Sequence, residues 1–265
     1  MTNLRPITVI TGASAGIGVE LARVFAREGH ELALVARRED RLHRLAGELA
    51  AGKARPIVIA ADLVARDAAQ KIADALRAQG AEPQYMVNNA GFGLVGLADM
   101  RPREDELAMI DLNVRALTDL SLAFADSLAR HKGGVLNVGS VAGFLPAPGM
   151  AVYYATKAYV ISFSEALHAE LKPKGVRVTV LCPGPVPTEF AEVAGLKKNS
   201  APSLLTVSPE RVAEEGYRGL MRGRRIVVPG LANKLVTQIV PLVPRSLLLR
   251  AAGSRQARRR TAQST

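Results

Sequence analysis

The sequence predicts an α/β fold, a doubly wound single parallel sheet of about seven strands with helices on both faces. Three observations predict it. Short runs rich in Val, Ile and Leu alternate with segments whose apolar residues recur at helical spacing. A glycine-rich turn, Gly12 to Gly18, stands between the first such run and the first such segment. The chain has 265 residues, 48% of them hydrophobic, which suits one large domain with a substantial core and would cramp two.

The elements follow in order. Residues 6–11 are an apolar run of strand length, and 17–29 form a helix with Leu21, Val24 and Phe25 at helical spacing. Residues 32–36 read as a short buried strand and 39–51 as a helix. A third strand, 56–60, ends near Asp62, and a helix over 65–80 leads to a fourth strand, 85–89. Residues 103–130 are expected to be one long helix, closed by Lys132-Gly133-Gly134. A fifth strand, 135–140, a helix, 152–171, and a sixth strand, 176–182, come next. Ser208-Pro209-Glu210 supplies an N-cap, a proline at the first helical position and an acid in the first turn, opening a helix that runs to Met221. Residues 226–228 complete a seventh strand. Right-handed crossovers wind such a series into a Rossmann-type fold, which binds ligands at the carboxyl ends of its strands.

The net charge of +11 is unevenly placed. Residues 1–215 carry 24 basic and 24 acidic groups, whereas residues 216–265 carry 11 basic groups and no acid. A neutral body argues against nucleic-acid binding, and only the tail could carry that role. The single cysteine, Cys182, cannot form an internal disulfide. Arg5-Pro6 interrupts the few residues before the first strand, so no secretory segment fits there and a cytoplasmic protein is expected. The four histidines show no ligand spacing, so no metal site is expected.

The glycine turn, Thr11-Gly12-Ala13-Ser14-Ala15-Gly16-Ile17-Gly18, lies where a strand meets a helix. There Gly12 permits a tight turn, Gly16 lets backbone amides approach a phosphate, and Gly18 allows helix and strand to pack closely. After the second strand an NAD site would want a carboxylate for the ribose 2′-hydroxyl. This chain has Ala36 there, then Arg37 and Arg38, a guanidinium pair suited to the 2′-phosphate of NADP. Far downstream, Tyr153 and Lys157 stand one helical turn apart on a shared face.

With Asn88-Asn89-Ala90-Gly91 and Ser140 between these two signatures, the ordered set resembles the short-chain dehydrogenase/reductase family from Thr11 to Thr188. The resemblance implies a catalytic set of Asn113, Ser140, Tyr153 and Lys157, with the family's thirteen-residue step from serine to tyrosine. It implies NADP(H) bound by Gly12, Ser14, Ala15, Gly16, Ile17 and Gly18, by Arg37 and Arg38, and by Asp62 and Leu63 at the adenine. Asn89, Ala90 and Gly91 would follow on the fourth strand. Tyr153 and Lys157 would hold the ribose, and Pro183, Gly184, Val186 and Thr188 the nicotinamide. The chemistry explains the residue types. A carbonyl that receives hydride needs a proton, and a tyrosine of pKa about 10 can give one if a lysine ammonium supports its anion. Ser140 would donate to the substrate oxygen, and Asn113 would hold a relaying water.

The function expected is therefore interconversion of a ketone or aldehyde and its alcohol, chiefly as a reductase. Residues 1–230 would form the catalytic domain, with 188–208 a lid carrying Phe190, Val193, Leu196, Leu204 and Leu205 around Lys197-Lys198. Phe92, Leu94, Phe144, Leu145, Pro146 and Met150 would add apolar wall, suiting a hydrophobic substrate. The family implies a homodimer or homotetramer through the helices at 103–130 and 152–171. Residues 231–265 form an amphipathic, basic extension ending in the cluster Arg255 to Arg260. Its longest charge-free stretch, ten residues from Leu235 to Pro244, is too short to span a membrane, which needs about twenty. Docking beside the active site and peripheral membrane contact both stay open for it, as does a non-catalytic NADP-binding regulator for the whole chain.

Overall fold

Strand β2 (Leu32–Ala36) shows why the apolar runs are continuous. Leu32, Leu34 and Ala36 enter one core, while Ala33 and Val35 enter another on the opposite face. A strand covered on both sides has no solvent face to keep polar. The structure, a computed structural model, describes residues 4–50, 54–196 and 202–250. Lys197, Lys198 and the cluster Arg255 to Arg260 lie outside them.

The other strands are β1 (Arg5–Thr11), β3 (Ile57–Ala60), β4 (Ala81–Asn88), β5 (Gly134–Val138), β6 (Arg177–Leu181) and β7 (Ile226–Val227). All neighbours pair in parallel, in the order β3-β2-β1-β4-β5-β6-β7. The order reverses at β1, so the loops after β1 and β4 diverge and open a crevice at the carboxyl edge.

Helices α1 (Gly16–Arg27), α2 (Glu39–Leu49) and α3 (Ala68–Ala78) follow the first three strands. The stretch expected as one long helix is four pieces: α4 (Arg103–Ile110), a π-helical turn (Asp111–Ala116), α5 (Leu117–Ala123) and α6 (Ala125–Arg130). Its end also differs from expectation. Lys132 takes the left-handed conformation with φ 47°, and Gly134 already belongs to β5. Gly133 serves close approach, since a Cβ there would overlap the Gln84 carbonyl. The remaining helices are α7 (Ala151–Leu171), α8 (Glu189–Val193), α9 (Pro209–Met221) and α10 (Leu231–Ile239). Ser208 caps α9 as expected, its hydroxyl accepting from the Arg211 amide at 3.3 Å. The tail helix α10 docks on the turn at Val141–Phe144 and on Ser203–Leu205. No helix among the described residues is long and apolar enough to cross a membrane.

Between β4, β5 and α7 runs a buried polar chain. The Asn88 amide donates to Asn137 Oδ1 at 2.8 Å and to Ser121 Oγ at 3.0 Å, and the Asn137 amide donates to Ser164 Oγ at 2.9 Å. These bonds fix β4 and α7 in register beneath the crevice. Asn137→Ala removes both a donor and an acceptor and leaves their partners buried. It is expected to destabilise the fold by about 2–4 kcal/mol, read as a lower urea midpoint at unchanged slope; a loss under about 1 kcal/mol would show the chain to be structurally idle.

Candidate active site

The glycine turn is held from across the crevice. Thr11 Oγ1 accepts from the amides of Asn89 at 3.0 Å and Ala90 at 3.1 Å. Asn89 Nδ2 returns bonds to the carbonyls of Thr11 at 3.0 Å and Gly12 at 3.2 Å. Gly12 and Gly16 have φ of 65° and 55°, and a Cβ on Gly12 would press on Asn89 and Ala90. Gly18 lies directly against the Gly12 backbone. The N-cap of α1 is Ala15, whose side chain accepts nothing, so the first-turn amides of Gly16, Ile17 and Gly18 have no capping side chain. Opposite Gly16 stands Thr188, within 3.1 Å of where a Cβ would be.

On the outer rim, Arg38 reaches over the turn, with Nε donating to Ser14 Oγ at 3.2 Å. Its Nη1 and the Nη1 of Arg41 both bind the Glu189 carboxylate, at 2.9 and 2.6 Å. These bonds, first Arg38 and then Arg41, hold the Glu189 carboxyl below the usual carboxylate range. Arg37 is exposed, and the contact to the turn falls to Arg38 alone. Asp62 is exposed and accepts from the Val64 amide at 3.1 Å, while Leu63 is buried. A loop open at its amides and rimmed by arginines fits the phosphates of a dinucleotide.

On the inner side, Ser140, Tyr153 and Lys157 come together and all three are buried. Ser140 lies two residues past β5 and caps the next turn, accepting from the Ala142 amide at 3.1 Å. Its hydroxyl donates to the Pro183 carbonyl at 3.5 Å, and it lies near enough to the Tyr153 phenol to influence its ionisation. Burial pushes Tyr153 up to about 12, and the Ser140 hydroxyl only partly offsets this. Lys157 donates to the Val138 carbonyl at 2.8 Å and sits 5.9 Å from the centre of the Tyr153 ring. Burial pushes it down to about 8. Cys182 lies near enough to interact with Lys157, but burial raises its thiol to about 12 and it packs among Val160 and Ile161.

Asn113 occupies the π-helical turn. Its Oδ1 accepts from the Phe92 amide at 3.1 Å, and its Nδ2 donates to the Phe92 carbonyl at 2.8 Å and to Thr156 Oγ1 at 3.1 Å. Gly91 is pressed against Asn113 Oδ1, close to the Lys157 ammonium. Pro183 accepts from the Val141 amide at 3.0 Å. Gly184 abuts Asn233 of α10, and Val186 packs on the core beneath α1. Phe92, Leu94, Met150, Tyr154 and Phe190 pack around Tyr153, with the Phe190 ring 5.5 Å away. Phe144 does not join them; it turns to the cluster of Val160, Ile161 and Cys182.

The family model for short chain dehydrogenases matches residues 6–199. The chain belongs to the short-chain dehydrogenase/reductase family. It is an NAD(P)-dependent oxidoreductase of that family. Sulfoacetaldehyde reductase 2 of Chromohalobacter salexigens is 39% identical over 193 residues, 71% of this chain and 75% of that protein. A short-chain dehydrogenase from Sphingobium yanoikuyae, solved with NADPH, superposes with a TM-score of 0.77 at 34% identity, covering 86% of this chain and 89% of that one. The bulky-bulky ketone specific alcohol dehydrogenase from Comamonas testosteroni gives 0.72 at 29% identity, covering 100% and 96%.

Sequence reasoning missed Arg41, Glu189 and Thr156. Arg41 is one turn beyond Arg38 on α2, and Glu189 follows Thr188 directly, so position alone signalled both. Thr156 joins the Asn113 amide to the Tyr153 carbonyl, which it reaches at 2.7 Å.

Lys157 makes stability depend on pH with a definite sign. Its folded pKa of about 8 lies below the ordinary 10.5, so between those values the unfolded chain holds more protons and stability rises with pH. Below pH 8 the buried ammonium costs stability. From pH 8 to 10.5 the protein is expected to gain on the order of 3 kcal/mol relative to Lys157→Met, measured by urea denaturation across that range. A difference that ignores pH would mean that Lys157 is solvated in the folded protein.

Proposed function

We propose that this protein is an NADP(H)-dependent reductase that interconverts an apolar ketone or aldehyde and its alcohol, with Tyr153 as general acid and base. One observation carries the reading: a buried phenol stands beside Ser140 and Lys157, with Phe92, Met150 and Phe190 packed against it. The nicotinamide cofactor, when bound, supplies or accepts the hydride. The chain's own residues handle the proton. Ser140 donates to the substrate oxygen and orients it. Tyr153, held protonated by burial up to about 12, enters reduction as an intact acid. The Lys157 ammonium then stabilises the tyrosinate left behind. The Asn113 side chain is fully engaged by Phe92 and Thr156, so it acts by holding that corner in register, where a water can relay protons to Lys157.

The preference for NADP(H) rests on Arg37 and Arg38, with Arg41 added. The Glu189 carboxylate draws Arg38 and Arg41 into one fork. A 2′-phosphate is an acceptor of the same kind with greater charge. Ser14, Gly16, Ile17 and Thr188 would hold the pyrophosphate and nicotinamide side, and Asp62 and Leu63 the adenine. The NADPH in the Sphingobium relative supports this reading, and the ketone class named for the Comamonas relative supports a bulky apolar substrate. Residues 188–208 act as the lid, with Phe190 its contact to Tyr153. We place the protein in the cytoplasm as a dimer or tetramer. Leu107, Ile110, Leu122 and Tyr159, exposed on α4, α5 and α7, support that second copy.

Tyr153→Phe is expected to lower kcat by about 10²–10⁴-fold while NADPH affinity stays within about twofold, measured by turnover on a panel of apolar carbonyls and by fluorescence titration. Unchanged turnover would remove Tyr153 from the proton step. Arg41→Ala is expected to weaken NADPH binding about tenfold and leave NADH binding unaltered. Equal weakening of both cofactors would take Arg41 out of the phosphate site.

A further inference from the structure

Helix α10 is inside out. The side chains it buries are polar, Asn233 at 2% and Thr237 at 8% exposure. Its large apolar residues face outward: Leu231 is 77% exposed, Leu235 58% and Ile239 56%, with Leu242 at 82% just beyond. The first three stand four residues apart, so they stack as one stripe along the helix. A helix docked only for stability would bury the leucines and expose the amide.

The reason for the inversion is Asn233. Its amide donates to the carbonyls of Leu205 at 3.0 Å and Pro229 at 2.9 Å, and the side chain fills the space that Gly184 leaves open. That anchor fixes the rotation of α10. The leucine stripe is thereby turned away from the fold and meets no partner among the described residues.

Charge says what covers the stripe. Residues 231–265 carry seven basic groups and no acidic one. Lys234 flanks the stripe, and Arg245 and Arg250 follow it, all three exposed. A second copy docked through the same face would bring cation against cation, which opposes association. The exposed apolar residues on α4, α5 and α7 already offer another face for a second copy. An acyl boundary beneath anionic headgroups matches both features together: it takes the leucines, and the phosphates take the cations.

We propose that α10 docks this protein on an anionic membrane surface, with Leu231, Leu235, Ile239 and Leu242 in the acyl boundary. Lys234, Arg245 and Arg250 sit at headgroup level. The helix lies in the surface plane and crosses nothing. This inference is independent of the assignment of Tyr153 and of the cofactor.

The chain contains no tryptophan, so Leu235→Trp supplies a single emission signal for binding. The full-length protein is titrated with vesicles of phosphatidylcholine alone and of phosphatidylcholine with phosphatidylglycerol. A blue shift and co-sedimentation are expected with the anionic vesicles, falling at least about tenfold in neutral ones. The doubly substituted Leu231→Asp/Ile239→Asp protein, and separately Lys234→Glu, are expected to bind the anionic vesicles more weakly while retaining NADPH affinity, which shows that they are folded. Tyr153→Phe is expected to bind vesicles as the parent does, which separates this result from any failure of the reductase reading. No binding to anionic vesicles overturns the proposal. So does binding that ignores the two leucine-stripe substitutions, because charge alone would then account for it. If those substitutions instead convert a dimer to a monomer with no vesicle binding in the parent, the stripe belongs to a second copy.

Discussion

The site depends on the bracket between Thr11 and Asn89. The strand order reverses at β1, and reversal alone would leave the loops after β1 and β4 free to splay apart. One hydroxyl accepting two amides, and one side-chain amide donating to two carbonyls, tie them together. Each of these groups would otherwise be a backbone dipole in need of a partner at a sheet end. The bracket satisfies them and at the same time sets the position of the Gly12 turn and of Ala90. The open amides of α1 and the Asn113 corner both take their places from it.

A second constraint is the burial of a phenol and an ammonium side by side. Burial favours the neutral form of each, which pushes Tyr153 up and Lys157 down. The two shifts move the groups apart, Tyr153 to about 12 and Lys157 to about 8. In the free chain both protons stay in place at neutral pH. A positive ring close by, or an alkoxide developing on a substrate oxygen held by Ser140, would change that balance, because charges interact strongly in a site that excludes water. The apolar wall of Phe92, Met150 and Phe190 is therefore part of the electrostatics as well as of the shape.

Most of the sheet was legible because its strands are buried on both faces and read as unbroken Val, Ile and Leu runs. The β2 strand, 32–36, matches to the residue. The gathering of Ser140, Tyr153 and Lys157 was legible for a different reason: a serine just past a strand and a tyrosine and lysine one helical turn apart come together in the interior. What stayed hidden was irregular or tertiary. The π-helical turn at Asp111–Ala116 is six residues long, too short for a periodicity window of about 11–18 residues to resolve. Lys132 in the left-handed region defied the preference for glycine because Gly133 was needed against Gln84. The Arg38–Glu189–Arg41 bridge joins residues about 150 positions apart, and no local rule reaches across that distance. Phe144 was placed in the pocket by its neighbours in sequence, yet the turn capped by Ser140 rotates it into the core behind α7.

The tail shows how far a single buried amide can override hydrophobic patterning. Leu231, Leu235 and Ile239 define an apolar face that any periodicity argument would turn inward. Turning it inward would expose Asn233 and leave the carbonyls of Leu205 and Pro229 without its two bonds, while a leucine could not fit where Gly184 meets the helix. Two hydrogen bonds, to the carbonyls of Leu205 and Pro229, and a close backbone approach at Gly184 thus fix the rotation, and the leucines take whatever face remains. The same contact makes α10 a brace for the Pro183–Thr188 loop. Val207 strengthens it from the other side, its amide donating to the Pro185 carbonyl at 3.1 Å. The outer face of α10 thus belongs to a helix whose inner face contacts Gly184, four residues before Thr188.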